Sequence, residues 1–377
     1  MNRSDLKKCG RVVVKVGTST ITHSNGKMNI GRMDKLCRAL ADLHNRGVEV
    51  LLVTSGAVGA GMGRLGFSEK PSNLPVKQAL AAVGQGLLMQ MYEKLFGEYG
   101  CVAAQVLLTR VGFNDRTRYL NLCNTMRALL EMKIIPVINE NDTVAVDEIK
   151  FGDNDTLSAL VACAAGADLL IILSDIDGLY DSDPRTNPNA RLIHEVTSVS
   201  REIRENSGTK GSSMSSGGMY TKITAADTVL PAGIPLVIAK GSEEDVLRRI
   251  LDGEELGTLF VPPQNHRHAR KQWIASSGRT ADSIMVDGGA AAAILERGSS
   301  LLAKGIVGVT GDFEPGRPVS VLAPDGREIA RGLTNYDSKD LRKIMGRHSS
   351  EFEAILGGKD FDEVIHRDNL ALLQSVN

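Results

Sequence analysis

Residues 133–174 decide the fold class of this chain and read KIIPVINENDTVAVDEIKFGDNDTLSALVACAAGADLLIILS. The stretch begins with an apolar run at 133–139 and ends with a second one at 168–174. Between them lie a polar block and a helical pattern over Thr156–Ala165. Short apolar strands joined by a helix are typical of a parallel sheet that is covered on both faces.

The same alternation continues along the chain up to about residue 260. Further apolar runs predict buried strands at 11–16, 48–54, 101–109 and 234–239. Amphipathic stretches predict helices at Ile30–Asn45, Ala79–Phe96, Asn121–Met132 and Met219–Ala232. We therefore predict an α/β fold with a doubly wound, mostly parallel sheet.

A second, smaller domain is predicted in the C-terminal part. From about Ala281 to Gly358 the chain shows short strands separated by Gly, Pro and Asp turns, which indicates a β-rich domain. Polar residues at 265–273 and the sequence SSGR at 276–279 are typical of a connector. The predicted division is an α/β domain at 1–263, a linker at 264–280, a β-rich domain at 281–359 and a C-terminal tail at 360–377.

Composition excludes several classes of protein. The 377 residues carry a net charge of −1, which gives no general attraction to nucleic acid or to an anionic membrane. Five cysteines without a C-x-x-C pair indicate reduced thiols rather than disulfides or a zinc site. No signal peptide and no run of 18 apolar residues is present, so we predict a soluble, cytoplasmic protein.

The polar block holds three asparagines and six acidic residues between Asn139 and Thr156. A solvated loop can have this composition, but this block directly follows one apolar strand and precedes an apolar helix. Polar side chains at the carboxyl end of a strand are the usual way in which an α/β protein builds a site. The block therefore predicts a ligand site.

The common nucleotide-binding motifs do not account for a ligand site in this chain. A P-loop sequence is absent, and the only G-x-G-x-x-G, at Gly61, Gly63 and Gly66, starts seven residues past the predicted strand 48–54. No well-placed acidic residue follows about 20 positions later, so the motif is weak support for dinucleotide binding.

Three other segments suit an anion. Lys15 lies near the end of the first strand, before Gly17, and Ser55 to Ala57 end the second strand with small residues. The third is the Ser/Gly-rich loop at 215–222, which opens a helix with Lys222 one turn inside it. Each has an ordinary alternative, either a lysine reaching for solvent or a flexible surface loop. Together on one sheet they predict a phosphate site.

The motifs VVVKVGTS, VTSGAVGAG, KQALAAVGQ, VINENDTVAVDEIKFGDNDTLSA, LSDIDGLYDSDPR and GGMYTKITAAD resemble the glutamate 5-kinase family of the amino acid kinase superfamily. The C-terminal part resembles the PUA domain that bacterial members carry. The resemblance covers nearly the whole chain. It implies ATP-dependent phosphorylation of the L-glutamate side-chain carboxylate to L-glutamyl 5-phosphate, the first step of proline biosynthesis.

The resemblance also implies roles for individual residues. Its catalytic residues are Lys15, Asp155 and Lys222, with the aspartate holding the two lysines in place. Its residues for the amino acid are Ser55, Asn139, Asp142 and Asn154, and Asp142 is the natural partner of the α-ammonium group. Its residues for ATP are Lys15, Ser174, Asp175, Ser216, Gly217, Gly218, Met219, Tyr220, Thr221 and Lys222. The family loop commonly reads G-T-G-G-M, whereas this chain has Ser215 and Ser216 before the two glycines.

Mg²⁺ is expected to arrive on the ATP phosphates, and no protein metal site is expected. The resemblance further implies feedback inhibition by proline, a homotetramer or homodimer, and glutamyl phosphate reductase as a partner. Other enzymes of the superfamily remain alternatives, namely acetylglutamate kinase, aspartokinase, uridylate kinase and carbamate kinase. So does a nucleotide-binding regulator without catalysis.

RNA binding is a third alternative, because PUA domains in other proteins bind RNA. Residues 281–377 contain 11 Lys and Arg against 15 Asp and Glu, a net of −4, which disfavours this function. A local basic patch at Arg342, Lys343 and Arg347 leaves it open. We expect no membrane contact and no general binding of nucleic acid.

Overall fold

The computed structural model describes residues 2–23, 27–109, 113, 115–145, 154–184, 186–200, 203–204, 218–263 and 281–373. The chain divides into two compact units. The first consists of Met1–Phe113 and Leu122–Arg267, and the second of Asn114–Asn121 and His268–Asn377. The predicted linker at 264–280 lies outside the described residues.

The first unit is built on a sheet of eight strands. The strands of this unit are β1 Arg11–Val16, β2 Glu49–Val53, β3 Ala103–Leu108, β4 Ile135–Glu140, β5 Leu169–Ser174, β6 Leu179–Tyr180, β7 Leu192–Ile193, β8 Glu195–Val196, β9 Leu236–Lys240 and β10 Thr258–Phe260. The order in the sheet is β3-β4-β2-β1-β5-β9-β10-β8, and β6 and β7 form a separate pair. All pairs from β3 to β9 are parallel, and β10 runs antiparallel to β9. The predicted mostly parallel sheet is confirmed.

Helices cover both faces of this sheet. They are α1 Thr18–Ile21, α2 Ile30–Asn45, α3 Ala57–Leu65, α4 Leu74–Glu98, α5 Arg116–Glu131, α6 Asn154–Ala165, α7 Met219–Val229 and α8 Val246–Leu251. Helix α5 belongs to this unit from Leu122 onward. In β1, Val12 and Val14 belong to one apolar core and Val13 belongs to the other. Alternate side chains of a strand point to opposite faces, so the central strand is buried on both sides, as the apolar run predicts.

Helix α4 begins five residues before the predicted start at Ala79. The side chain of Asn73 accepts a hydrogen bond from the N–H of Val76 and caps the helix. Pro75 is tolerated in the first turn, where its missing N–H has no helical partner. The start is therefore set by capping, which the apolar periodicity does not reveal.

Helices α3 and α4 touch through their backbones. A Cβ atom added to Gly61 would lie 2.0 Å from the carbonyl oxygen of Leu80, and one added to Gly84 would lie 1.7 Å from that of Ala57. Only glycine permits such an approach. Gly61 of the G-x-G-x-x-G sequence thus serves helix packing.

The chain order creates a crevice at one edge of the sheet. Strand β1 lies between β2 and β5, and the chain passes from one side of β1 to the other between β4 and β5. Such a switch point at the carboxyl ends of parallel strands is where open α/β sheets bind ligands. The polar block predicted to form a site begins at this edge, at the end of β4.

The second unit contains a five-stranded sheet in the order β12-β11-β13-β14-β15. Its strands are β11 Ser283–Val286, β12 Ile306–Thr310, β13 Pro318–Leu322, β14 Glu328–Leu333 and β15 Leu370–Leu372, and its helices are α9 Gly288–Arg297, α10 Ser338–Ile344 and α11 Phe352–Leu356. Strand β15 comes from the stretch beyond residue 359. The sheet and helices share one apolar core, which includes Val319, Val321 and Phe352.

Among the described residues, no helix combines the length and the apolar character needed to cross a membrane.

Candidate active site

Two lysines and one aspartate meet at the carboxyl edge of the large sheet. The Nζ atom of Lys15 lies 2.5 Å from Oδ1 of Asp155, and that of Lys222 lies 3.2 Å from Oδ2. The hydroxyl of Thr221 donates to Oδ2 of Asp155 at 2.7 Å. The structure therefore brings together the three residues that the sequence assigned to catalysis.

Each of the three comes from a different element. Lys15 is the penultimate residue of β1, Asp155 is the second residue of α6, and Lys222 is the fourth residue of α7. A carboxylate in the first turn of a helix is favoured by the helix dipole. The apolar face of each element packs in the core, so the polar ends are held at one point.

All three groups are buried, with relative exposures of 6% for Lys15, 0% for Asp155 and 4% for Lys222. Burial alone would raise the pKa of Asp155, but the charges of Lys15 and Lys222 and the hydrogen bonds from Lys15 and Thr221 outweigh it and lower that pKa to about 2. Asp155 is thus a carboxylate at neutral pH. Together the three groups carry one net positive charge, which favours an anionic ligand.

A chain of amides lies beside this trio. The Nδ2 atom of Asn154 donates to the carbonyl oxygen of Thr54 at 2.5 Å, to Oγ of Ser55 at 3.1 Å and to Oδ1 of Asn139 at 2.8 Å. These bonds tie the start of α6 to the ends of β2 and β4. Asn154 immediately precedes Asp155, so the amide chain also fixes the start of the helix that carries the carboxylate.

A cavity of about 200 Å³ opens next to the amides. Its lining includes all four residues that the sequence assigned to the amino acid, namely Ser55, Asn139, Asp142 and Asn154. The volume is below the roughly 300–1,000 Å³ of sites for drug-sized ligands, so it suits a small metabolite better than a nucleotide.

Two cations that the sequence analysis did not name also line this cavity. They are Lys70 and Lys77, of which Lys77 is half-buried in the first turn of α4. Lys77 is the first residue of the motif KQALAAVGQ, one of those that resemble the glutamate 5-kinase family. The position of Lys77 in this motif was the only feature of the sequence that could have indicated a role for it.

Apart from Lys15 in β1, the described residues assigned to ATP lie at the end of β5 and at the start of α7. Ser174 ends β5 and donates to Oδ1 of Asp175, which is exposed. Gly218, Met219 and Tyr220 open α7, whereas Ser216 and Gly217 lie outside the described residues. The hydroxyl of Thr221 is already bonded to Asp155, so its side chain contacts the catalytic trio.

Within the described ranges, no group of three or more His, Cys, Asp or Glu side chains is placed to hold a metal ion. The carboxylate of Asp155 is bonded to two ammonium groups and a hydroxyl.

Comparison with models of known protein families supports the interpretation of this site as an active site. The model of the amino acid kinase family matches residues 10–240, and that of the PUA domain matches residues 282–356. The first match covers more than half of the chain, including the trio, the amides and the cavity. The chain therefore belongs to the amino acid kinase family and carries a PUA domain.

Individual relatives narrow the assignment. Glutamate 5-kinase of Caldanaerobacter subterraneus subsp. tengcongensis is 55% identical over 97% of this chain and 98% of its own length. The enzymes of the same name from Moorella thermoacetica and Carboxydothermus hydrogenoformans are 53% and 54% identical, each over 98% of this chain. Within the amino acid kinases, the chain thus groups with the glutamate 5-kinases, as the motifs predicted.

Among solved structures, UMP kinase from Bacillus anthracis aligns with a TM-score of 0.47 at 18% identity, over 68% of this chain and 97% of that one.

Proposed function

We propose that this protein transfers the γ-phosphoryl group of ATP to the side-chain carboxylate of L-glutamate, giving L-glutamyl 5-phosphate and ADP. One observation carries the proposal. The buried trio of Lys15, Asp155 and Lys222 lies beside an amino-acid-sized cavity, and Asn154 lines that cavity while Asp155 follows it in the chain. The proposed phosphate site and amino acid site are thereby adjacent at the start of helix α6.

The reaction requires charge compensation and alignment more than acid–base chemistry. An oxygen of the side-chain carboxylate forms a bond to the γ-phosphorus, and the bond from that phosphorus to the bridging oxygen of ADP breaks. The attacking carboxylate is ionised at neutral pH, so no proton has to be removed. Lys15 and Lys222 offset the charge of the two anions and of the transferring group.

Asp155 acts on the lysines rather than on the substrate. Two ammonium groups close together repel each other, and the carboxylate between them offsets this repulsion. The low pKa of Asp155 keeps it charged throughout the physiological range. The lysines are thereby positioned before ATP binds, which avoids reorganisation during the reaction.

The cavity offers a partner for each remaining charge of glutamate. Asp142 and the Oδ1 atom of Asn154 receive the α-ammonium group. Lys77, with Lys70 at the outer part of the lining, receives the α-carboxylate. Lys77 is half-buried in the lining of the cavity, where its ammonium group is placed to receive a substrate anion.

ATP lies over Ser174, Asp175 and the start of α7, with its phosphates directed toward Lys15 and Lys222. Ser216 and Gly217 belong to the same proposed contact. Mg²⁺ enters as part of the ATP substrate, because this ion keeps several waters and is held largely by phosphates.

Regulation and location complete the proposal. The chain acts in the cytoplasm as a homodimer or homotetramer, is inhibited by proline and passes its labile product to glutamyl phosphate reductase. All five cysteines are free thiols, which suits a reducing compartment. We assign catalysis to residues 1–263, a linker to 264–280 and the PUA domain to 281–359. The tail at 360–377 contributes strand β15 to the sheet of the second unit.

The deciding experiment is an ADP-release assay with L-glutamate, N-acetyl-L-glutamate and L-aspartate, with hydroxamate capture of the acyl phosphate. Glutamate should be preferred by about 10²-fold or more in kcat/KM, because the site is built for a free ammonium group. Equal use of acetylglutamate would contradict the proposal. The Asp155→Asn variant serves as the control and should lose the activity.

A further inference from the structure

Gln85, on helix α4, is bonded to a residue of the amino acid cavity but does not line it. Its Oε1 atom accepts a hydrogen bond from Nδ2 of Asn139 at 2.8 Å. Asn139 is 1% exposed and lines the cavity. Gln85 is the last residue of the motif KQALAAVGQ.

A backbone group determines the amide orientation of Asn139. The N–H of Glu140 donates to Oδ1 of Asn139 at 2.9 Å. A backbone N–H can only donate, so this oxygen is an acceptor and the Nδ2 atom of Asn139 must be the donor toward Gln85. An oxygen of Gln85 therefore faces Asn139.

The same reasoning fixes the orientation of Asn154. Its Nδ2 atom donates to Oδ1 of Asn139, to the carbonyl oxygen of Thr54 and to Ser55. Its Oδ1 atom is then left as an acceptor, and none of the described residues donates to it. An acceptor at a cavity wall suits an ammonium group of the substrate.

Helix α4 holds Gln85 firmly against the strand ends. The neighbouring residue Gly84 allows the backbone of α4 to touch α3 at Ala57. About two turns further along α4, the hydroxyl of Tyr92 lies 2.8 Å from Oγ1 of Thr54, and both residues are fully buried. Gln85 is thus fixed on both sides, and it faces the ends of β2 and β4.

Gln85 is not optimised for stability. Its Nε2 atom is buried and has no hydrogen-bond partner among the described residues. An unsatisfied buried donor destabilises the folded state, and such a group calls for an explanation. Retaining the amide for its oxygen provides one.

We propose that Gln85 is a positioning residue for substrate binding. By accepting from Asn139 it holds the amide of Asn139 in the orientation that the N–H of Glu140 requires. Asn139 in turn accepts from Asn154, whose Oδ1 then faces the α-ammonium group. The inference rests on the proposed function, because it needs an amino acid substrate in this cavity.

The test compares Gln85→Met, which has a similar shape but no acceptor, with Gln85→Glu, which keeps an acceptor oxygen. The matched control is Gln90→Met, on an exposed position of the same helix. Gln85→Met should raise the KM for glutamate about tenfold, while the KM for ATP and the melting temperature change little. Gln85→Glu should stay within about threefold of the parent.

Glutarate, which lacks only the α-amino group, provides the second measurement. As a competitive inhibitor it should bind the parent and Gln85→Met within about twofold of each other, because the lost contact concerns the ammonium group. An unchanged KM for glutamate in Gln85→Met would overturn the inference, and so would an equal loss of glutarate binding. A parent enzyme inactive on glutamate would instead refute the proposed function.

Discussion

The Nζ atom of Lys222 lies 3.2 Å from Oδ2 of Asp155, although 67 residues separate the two in the chain. Both side chains are almost fully buried. A buried lysine retains its charge only where a carboxylate or an anionic ligand compensates it. The carboxylate of Asp155 therefore lies where it can offset the positive charge of the Lys222 side chain inside the protein.

Replacing Lys222 with Met tests its part in phosphoryl transfer. The variant keeps most of the side-chain volume but loses the charge, so kcat should fall by roughly 10²-fold or more. Glutamate binding should remain close to that of the parent. Lys94→Met, on the exposed side of α4, is the matched control and should leave kcat unchanged. A kcat within a few-fold of the parent would remove Lys222 from the mechanism.

The low pKa of Asp155 predicts a dependence of stability on pH. The folded-state pKa is about 2 and the ordinary value is 3.8, so the contribution is present above pH 3.8 and is lost as the pH falls toward 2. It amounts to about 2 kcal/mol, and about half of it should be gone at pH 3. Urea unfolding of the parent and of Asp155→Asn at pH 5 and pH 3 measures this loss. A difference between the two proteins that does not change with pH would contradict it.

The sequence predicted those parts of the molecule that depend on local pattern. Helix α2 has the predicted bounds Ile30–Asn45, because its apolar face repeats with helical spacing throughout. Strand β8, with two residues, is too short to give a pattern, and it was missed. The start of α4 was missed because Asn73 sets it by capping.

Some residues of the site could be predicted from the sequence, and others could not. Lys15 and Asn139 lie at strand ends, where the topology of a parallel sheet collects functional groups. Gln85 could not be found in this manner, since its contact with Asn139 spans 54 residues and depends on the close approach of α3 and α4. Tertiary packing of this kind leaves no local signature in the chain.

Asp142 is expected to determine the preference for a free ammonium group. N-Acetylglutamate lacks the positive charge and adds bulk, so it would leave this carboxylate without its substrate partner. Asp142→Asn should raise the KM for glutamate and narrow the roughly 10²-fold gap in kcat/KM between the two substrates. Kinetics with both compounds in both proteins check this. An unchanged KM for glutamate would mean that the ammonium group is bound elsewhere.

Lys77 is expected to bind the α-carboxylate. Lys77→Met should raise the KM for glutamate by about tenfold or more with little change in kcat, because the contact is the same in the ground and transition states. Glutamate α-methyl ester, in which this charge is absent, should lose far less affinity in the variant. Lys70→Met, on an exposed position of the same lining, should have the smaller effect. An equal loss of affinity for glutamate and for its α-methyl ester would contradict a contact between Lys77 and the α-carboxylate.

Gly84 is expected to be indispensable for packing, whereas Gly86 on the same helix is not. A Cβ atom at Gly84 would lie 1.7 Å from the carbonyl oxygen of Ala57, so α4 must move away from α3. Gly84→Ala should lower the free energy of unfolding by about 3 kcal/mol or more, as overpacking against backbone does. At Gly86 the added Cβ meets nothing within 4 Å, and Gly86→Ala should stabilise by up to about 1 kcal/mol, because alanine favours the helix. Urea unfolding of the two variants measures both effects. Equal stability of the two variants would show that the helices are not in backbone contact. Since Gly84 adjoins Gln85, Gly84→Ala should also raise the KM for glutamate.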